Sequence, residues 1–181
     1  KYEDLPKETV EMAKAITMNI IGTTVGGGVA EGTYELIKLV KGWGGKKEAT
    51  IFIYGCKVPA HNAVLVNSYM ARALDFESGG APGAHPAATY IPVALAAAEL
   101  RDGINGKDFL TAVIAGSEIG YRMNAATNFY GLDPTGYGPV FSAAAVAGKI
   151  LGLNKKQMLD ALGIAFNKQA GSFQANIDGT L

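Results

Sequence analysis

The stretch Asn67-Ser68-Tyr69-Met70-Ala71-Arg72-Ala73-Leu74-Asp75-Phe76-Glu77 begins as an alanine-rich helical pattern and ends in two acids. After it come Gly79, Gly80, Pro82 and Gly83, too rich in Gly and Pro to continue a helix, and then His85-Pro86. His85 is one of only 2 histidines in the chain. An acid at the C-terminal end of a helix meets the negative end of the dipole and is disfavoured there. Two readings follow. Asp75 and Glu77 simply open a solvated loop, or the unfavourable position raises a carboxylate pKa and makes a better base or acid. His85 is likewise either a loop or cap residue before a proline, or an imidazole that the loop folds back towards Asp75.

Working outward, the same helical punctuation covers most of the chain. Leu5-Pro6-Lys7-Glu8 reads as a helix start. Val10, Ala13, Ile16, Thr17, Ile20 and Ile21 then keep the helical period until Gly26-Gly27-Gly28. A second helix is expected over Val29–Val40, stopped by Gly42-Trp43-Gly44-Gly45. Further helices are expected over Pro59–Ala73, Ala87–Leu100, Gly106 to roughly Ala126, Pro139–Leu151 and Lys155 to roughly Ala170. Thr50–Tyr54 is β-branched and aromatic, but too short and isolated to imply an α/β fold, and is expected as an extended connection. The expectation is an all-α helical bundle in which runs such as Ala96-Ala97-Ala98 let helices approach closely.

Composition narrows the function classes. The 181 residues are 49% hydrophobic and 18% charged, with 16 Lys+Arg balancing 16 Asp+Glu. No global field attracts nucleic acid or an anionic membrane. The lone Cys56 has no partner for an internal disulfide, which fits a reducing, cytoplasmic setting. No run reaches the ~18 apolar residues of a membrane span. The chain opens Lys1-Tyr2-Glu3-Asp4, with neither signal peptide nor initiator Met, and both ends read as cut. One cysteine with His61 and His85 cannot build an ordinary zinc site or an iron–sulfur cluster, so no metal and no cofactor are expected. The glycine clusters lack the G-x-x-x-x-G-K-[ST] pattern of a phosphate loop.

Three other places could carry chemistry. In Tyr130-Gly-Leu-Asp-Pro-Thr-Gly-Tyr-Gly-Pro-Val-Phe141, Thr135 and Gly136 precede an apparent helix start, whose N–H groups could receive a carboxylate. The plainer reading is an interhelical loop capped by Thr135. Arg122 is either the ion-pair partner of Glu118, four residues earlier, or a bidentate carboxylate ligand. Arg72 carries the same ambiguity beside Asp75. Lys168, near the end of the last expected helix, either ends that helix or faces a pocket.

Several of these words resemble the MmgE/PrpD family (2-methylcitrate dehydratase, cis-aconitate decarboxylase, iminodisuccinate epimerase). Its signature A-L-D-F-D-D-T-H, a loop, then H-P is matched by Ala73-Leu74-Asp75-Phe76-Glu77 and His85-Pro86. Its G-F-H-P-T-G is similar to Gly131-Leu132-Asp133-Pro134-Thr135-Gly136, and its G-I-A-x-S-Q-A-x-G and D-G-x-L to Gly163–Gly171 and Asp178–Leu181. The chain departs from it at Ser78, Gly79 and Gly80, which replace D-T-H, and at Asp133, which stands where a histidine is expected.

The resemblance runs from Leu5 to Leu181 and implies the N-terminal part of a large helical domain over residues 1–181. It further implies a homodimeric parent, a small polycarboxylate substrate, no nucleic-acid or membrane partner, and a catalytic lysine soon after Leu181. It implies a metal-independent lyase or isomerase that removes a proton α to a carboxylate. Asp75 and His85 would share the proton transfer, with Asp133 as a further proton-transfer candidate. Thr135, Gly136, Arg72, Arg122 and Lys168 would bind substrate carboxylates. The alternative is a non-catalytic carboxylate-binding or assembly module derived from such enzymes.

Overall fold

The computed structural model describes residues 1–80, 85–129, 131–169 and 171–178. Pro82 and Gly83 of the expected loop, Tyr130, Ala170 and residues 179–181 lie outside the described residues. In chain order the elements are α1 (Lys7–Gly26), α2 (Thr33–Trp43), β1 (Ala49–Ile51), β2 (Cys56–Val58), α3 (Ala60–Arg72), α4 (Ala87–Leu100), α5 (Gly106–Ala125), α6 (Pro134–Ile150), α7 (Lys155–Lys168) and α8 (Gln174–Asp178). The expected all-α architecture is what the described residues form, with one small hairpin added.

α4 organises the rest. Its Ala87, Ala88, Tyr90, Ile91, Pro92, Ala94, Ala96 and Ala97 are buried, so it is apolar nearly all round, as a core helix must be. One face joins Ile20 of α1, Val113 of α5 and Val146 and Ile150 of α6 in a single core. Ala96 belongs to a second core with Ile37, Val40, Ile51, Val58, Val66 and Met70. Of the α1 stripe, Val10, Ala13 and Ile20 are buried, whereas Ile21 remains exposed.

Backbones come closest where side chains are missing. A Cβ on Gly120 of α5 would lie 2.7 Å from the Gly138 carbonyl oxygen and 2.0 Å from Ser142 Oγ, both on α6. Gly116 and Gly138 are equally constrained, the first against Val146 and the second against Asn124. Asn124 then completes the contact: Oδ1 accepts from the Gly138 N–H at 2.8 Å, and Nδ2 donates to the Pro134 carbonyl at 3.2 Å. Those two backbone groups would bond each other in a regular helix. The next residue, Pro139, has no N–H to offer, and the Asn124 side chain adds two bonds to the helix start beside it.

Three local expectations are corrected. The helix expected from Pro139 starts at Pro134, because proline is preorganised for the first helical position and Asp133 caps it. The second helix begins at Thr33 after a left-handed Gly32 (φ 80) and runs through Gly42 to Trp43, ending at Gly44 (φ 67). The run Gly26-Gly27-Gly28 ends α1 at Gly26 as expected, the chain passing from there into a 3₁₀ turn over Gly27–Val29. Gly27 is small because a Cβ there would meet the Met70 carbonyl at 1.9 Å. Finally, Thr50 is not in a lone extended segment. β1 pairs antiparallel with β2 (Ala49 with Val58, Ile51 with Cys56), and Ala49, Ile51 and Val58 turn into the second core.

The α5–α6 contact makes a stability prediction for the full-length protein. Gly120→Ala should destabilise it by about 1–3 kcal/mol through overpacking. Asn124→Ala should cost about as much by removing a buried side chain and both of its hydrogen bonds to α6. Gly163→Ala on α7, where nothing lies within 4 Å of the new methyl, should not destabilise. Urea denaturation of the three variants checks the ordering.

Candidate functional site

The loop from α3 to α4 is fixed at both ends by buried helix, Met70 and Ala71 on one side and Pro86, Ala87 and Ala88 on the other. α3 ends at Arg72, and the Asp75 N–H bonds back to the Arg72 carbonyl at 3.0 Å. Asp75 sits in the left-handed region at φ 54, a conformation that Asp and Asn tolerate better than most side chains. Asn19 of α1 then holds the chain: its Oδ1 accepts from the Ser78 N–H at 2.8 Å and its Nδ2 donates to the Phe76 carbonyl at 3.4 Å. Between these two held residues Glu77 turns inward, with its side chain 0% exposed.

A buried carboxylate needs compensating partners. Arg72 Nη1 lies 2.6 Å from Glu77 Oε1, and the same guanidinium pairs with Asp75. His85, 32% exposed, brings Nδ1 to 3.2 Å from that same Oε1. The contact is not an aligned hydrogen bond, so Nδ1 has no hydrogen-bond partner among the described residues. Glu77 Oε2 and Ser78 Oγ are also buried without one. Buried polar atoms are rarely left unpaired, and three gathered in one place mark where a polar ligand or water would be satisfied.

The electrostatics overturn one expectation. The helix end does not raise the Asp75 pKa. The hydrogen bond from Arg72, and then the Arg72 charge, hold that carboxyl below its ordinary 3.8. Arg72 itself is not a free carboxylate anchor, since two acids already engage it. Asp75, Glu77 and His85 each offer a ligand atom, all within 4.8 Å of one another, a donor set a divalent ion could use. The Arg72 guanidinium already places a positive charge against both carboxylates of that set.

The remaining candidates fall into other places. Asp133 caps α6, its Oδ1 accepting from the Thr135 N–H at 2.8 Å, so the cap is Asp133 and not Thr135. Asp133 and Gly136 line a cleft of about 130 Å³ with Tyr137, Gln169 and Gly171. The Asp133 N–H bonds the Gly171 carbonyl and the Phe173 N–H bonds the Gly131 carbonyl, each at 3.1 Å, so two of the sequence motifs meet here. Gln169 Oε1 is buried and unpaired among the described residues. Lys168 is exposed at the end of α7 and does not line this cleft. Arg122 is 79% exposed and pairs with Glu118 at 2.6 Å, which favours the ion-pair reading over a carboxylate ligand.

Two residues of the cluster were not among the candidates. Glu77 lay in the quoted word, and its acidic character two residues after Asp75 was the available signal. Asn19, mid-way along an apolar-striped helix, gave none.

The Arg72 contact sets a sign for pH. A carboxyl whose pKa is depressed in the folded state contributes stability above its unfolded value and loses it as pH falls through the folded one. Asp75 should therefore titrate below 3.8 by carbon NMR, and Arg72→Gln should move its midpoint upward. An Asp75 midpoint unmoved by that substitution would contradict the pairing.

Comparison with known proteins bears on the whole chain. A family model described as the MmgE/PrpD N-terminal domain matches residues 1–180. The chain is 27% identical over 193 aligned residues to the cis-aconitate decarboxylase-like protein oryM of Aspergillus oryzae, covering 99% of this chain and 40% of that protein. It is 31% identical over 190 residues to cis-aconitate decarboxylase of Aspergillus terreus, covering 98% of this chain and 38% of that protein. The chain thus spans 38% to 40% of the length of these curated relatives. With that family model matching residues 1–180, and the Asp75, Glu77 and His85 cluster lying inside the match, the chain belongs to the MmgE/PrpD family.

Proposed function

We propose that the whole protein is a metal-independent lyase or isomerase that moves a proton α to a carboxylate of a small di- or tricarboxylic acid. The observation that carries this reading is the buried Glu77 carboxylate behind the His85 imidazole. A carboxylate facing Nδ1 favours the tautomer with its proton on that nitrogen, leaving Nε2 as the base, and stabilises the imidazolium once the proton has arrived. Asp75, kept ionised by Arg72, is better suited to holding charge in the site than to taking the first proton.

Two outcomes share this first step. Loss of a β-hydroxyl gives an alkene, and return of the proton to the opposite face gives an epimer. The activity in the names of the relatives, decarboxylation of cis-aconitate, belongs to the same class of chemistry. Breaking a C–CO₂ bond leaves its electron pair on carbon, where a proton must be delivered.

A second reading, a carboxylate-binding or assembly module without turnover, is favoured by Gly79 and Gly80, which bring no side-chain donor to the loop, and by the use of Asp133 as a helix cap. The two readings part in D₂O. Proton NMR of the full-length protein with cis-aconitate, other citrate-like acids and aspartate-derived acids should show a new alkene, released CO₂ or deuterium entering the α-position. Binding without any of these would leave the module.

For the enzyme, His85→Ala should lower turnover by about 10²–10⁴-fold, the usual contribution of a positioned general base. Asp75→Asn should also lower it sharply without unfolding the protein, since Asn tolerates the left-handed backbone at this position. Near-normal kcat in both variants, with circular dichroism unchanged, would defeat the assignment.

A further inference from the structure

The segment that carries Glu77 runs along α1. Leu74 lies against Gly26, where an added Cβ would come within 3.1 Å of Leu74 Cδ1. About two turns back along the same face, Asn19 takes hold of Phe76 and Ser78. α1 is itself fixed at this point. Ile20, the residue after Asn19, is 1% exposed in the core that also takes Ala71 from α3 and Ala87 and Ala88 from α4. The helix that carries the amide and both helices that bound the loop are therefore packed together.

The two Asn19 bonds fall on the two peptide groups that adjoin Glu77. The Phe76 carbonyl belongs to the planar group before the Glu77 Cα, and the Ser78 N–H to the planar group after it. Only the φ and ψ of Glu77 lie between those planes. Tying both planes to one amide fixes them, and with them the direction in which the Glu77 side chain leaves the backbone. An amide suits the task because it offers a donor and an acceptor, where an ionised Asp would lack the donor and Leu would lack both. Arg72 meets the Glu77 carboxylate at 2.6 Å, but it is 44% exposed and shared with Asp75, so it can follow the carboxylate without placing it. His85 Nδ1 lies 3.2 Å from the same oxygen. A Glu77 that turned away would no longer bias which ring nitrogen carries the proton.

We propose that Asn19 is a positioning residue of the Glu77–His85 pair, keeping the carboxylate against Nδ1 and so leaving Nε2 free to take a proton. The assignment rests on the function proposed above and adds to it a residue that acts through Glu77.

The test uses the full-length protein with ¹⁵N-labelled histidine and the variants Asn19→Leu, Glu77→Gln and the two combined. At a pH well above the ordinary histidine value of about 6.5, the ring ¹⁵N shifts report which nitrogen is protonated. The His85 signals are assigned by their loss in His85→Ala. Wild type should carry the proton on Nδ1, and Asn19→Leu should lose that preference. With an acid that the wild type turns over, Asn19→Leu should lower kcat about tenfold to a hundredfold, the effect of a misplaced group, with KM little changed. In the Glu77→Gln background the same substitution should cost no further kcat, because its effect runs through that carboxylate. A tautomer or a kcat unmoved in Asn19→Leu overturns the proposal, whatever happens to the thermal midpoint, as do losses that multiply in the combined variant. Should Asn19→Leu fail to fold, Asn19→Ala is read in the same way. A wild-type His85 protonated on Nε2 overturns the base assignment and this one together. A wild type with the expected tautomer that turns over no acid of the panel overturns the function alone, and the tautomer of Asn19→Leu then decides the role of Asn19.

Discussion

Where α5 and α6 touch, Gly120 and Gly138 leave no side chain between the two backbones, and Asn124 ties α5 to the first turn of α6 with two hydrogen bonds. Much else follows from that contact. It sets where α6 begins, and so where Asp133 can cap it and form the small cleft with Gln169 and Gly171. It holds α5 against α4 and α1, which places Tyr121 against Gly80 of the loop that carries His85. The energy comes from dense packing of small residues, which is why single methyl groups matter there.

The candidate site solves a different problem, that of keeping a carboxylate away from water. Glu77 is tolerated because Arg72 lies against it and His85 is close enough to respond to its charge. Arg72 also answers the objection to an acid at a helix end: a guanidinium on the last residue of α3 opposes the dipole and pairs with Asp75. The helix terminus is therefore made hospitable to acids, and the pKa effect runs opposite to the one expected from the dipole alone. Asn19 contributes by geometry, holding the residues on either side of Glu77 so that its side chain has one direction to take.

Legibility from the sequence differed by kind of feature. α4 was readable to the residue, since Leu100 is followed by Arg101-Asp102-Gly103 and Ala87 follows a proline, and α5 was nearly so. The start of α6 was not, because two prolines compete for the role of helix start and only the Asp133 cap decides between them. The triple glycine was readable as the stop it is, with α1 ending at Gly26, but not as the clearance for the Met70 carbonyl that Gly27 also provides. The hairpin escaped because Cys56–Val58 is too short to show a period, and its pairing depends on a core supplied by α2 and α3.

The sequence alone determined the helical class, most helix positions and the loop that bears Asp75 and His85, since periodicity and Gly/Pro punctuation are local properties of the chain. It also contained the motif words that place the chain in its family. Tertiary structure alone decided that Glu77 is the buried acid, that Arg72 is already engaged, that Arg122 faces solvent, and that Asn19 and Tyr121 reach the same loop from distant helices. Burial, ion pairing and close approach are relations between residues far apart in the chain, and no local spacing encodes them.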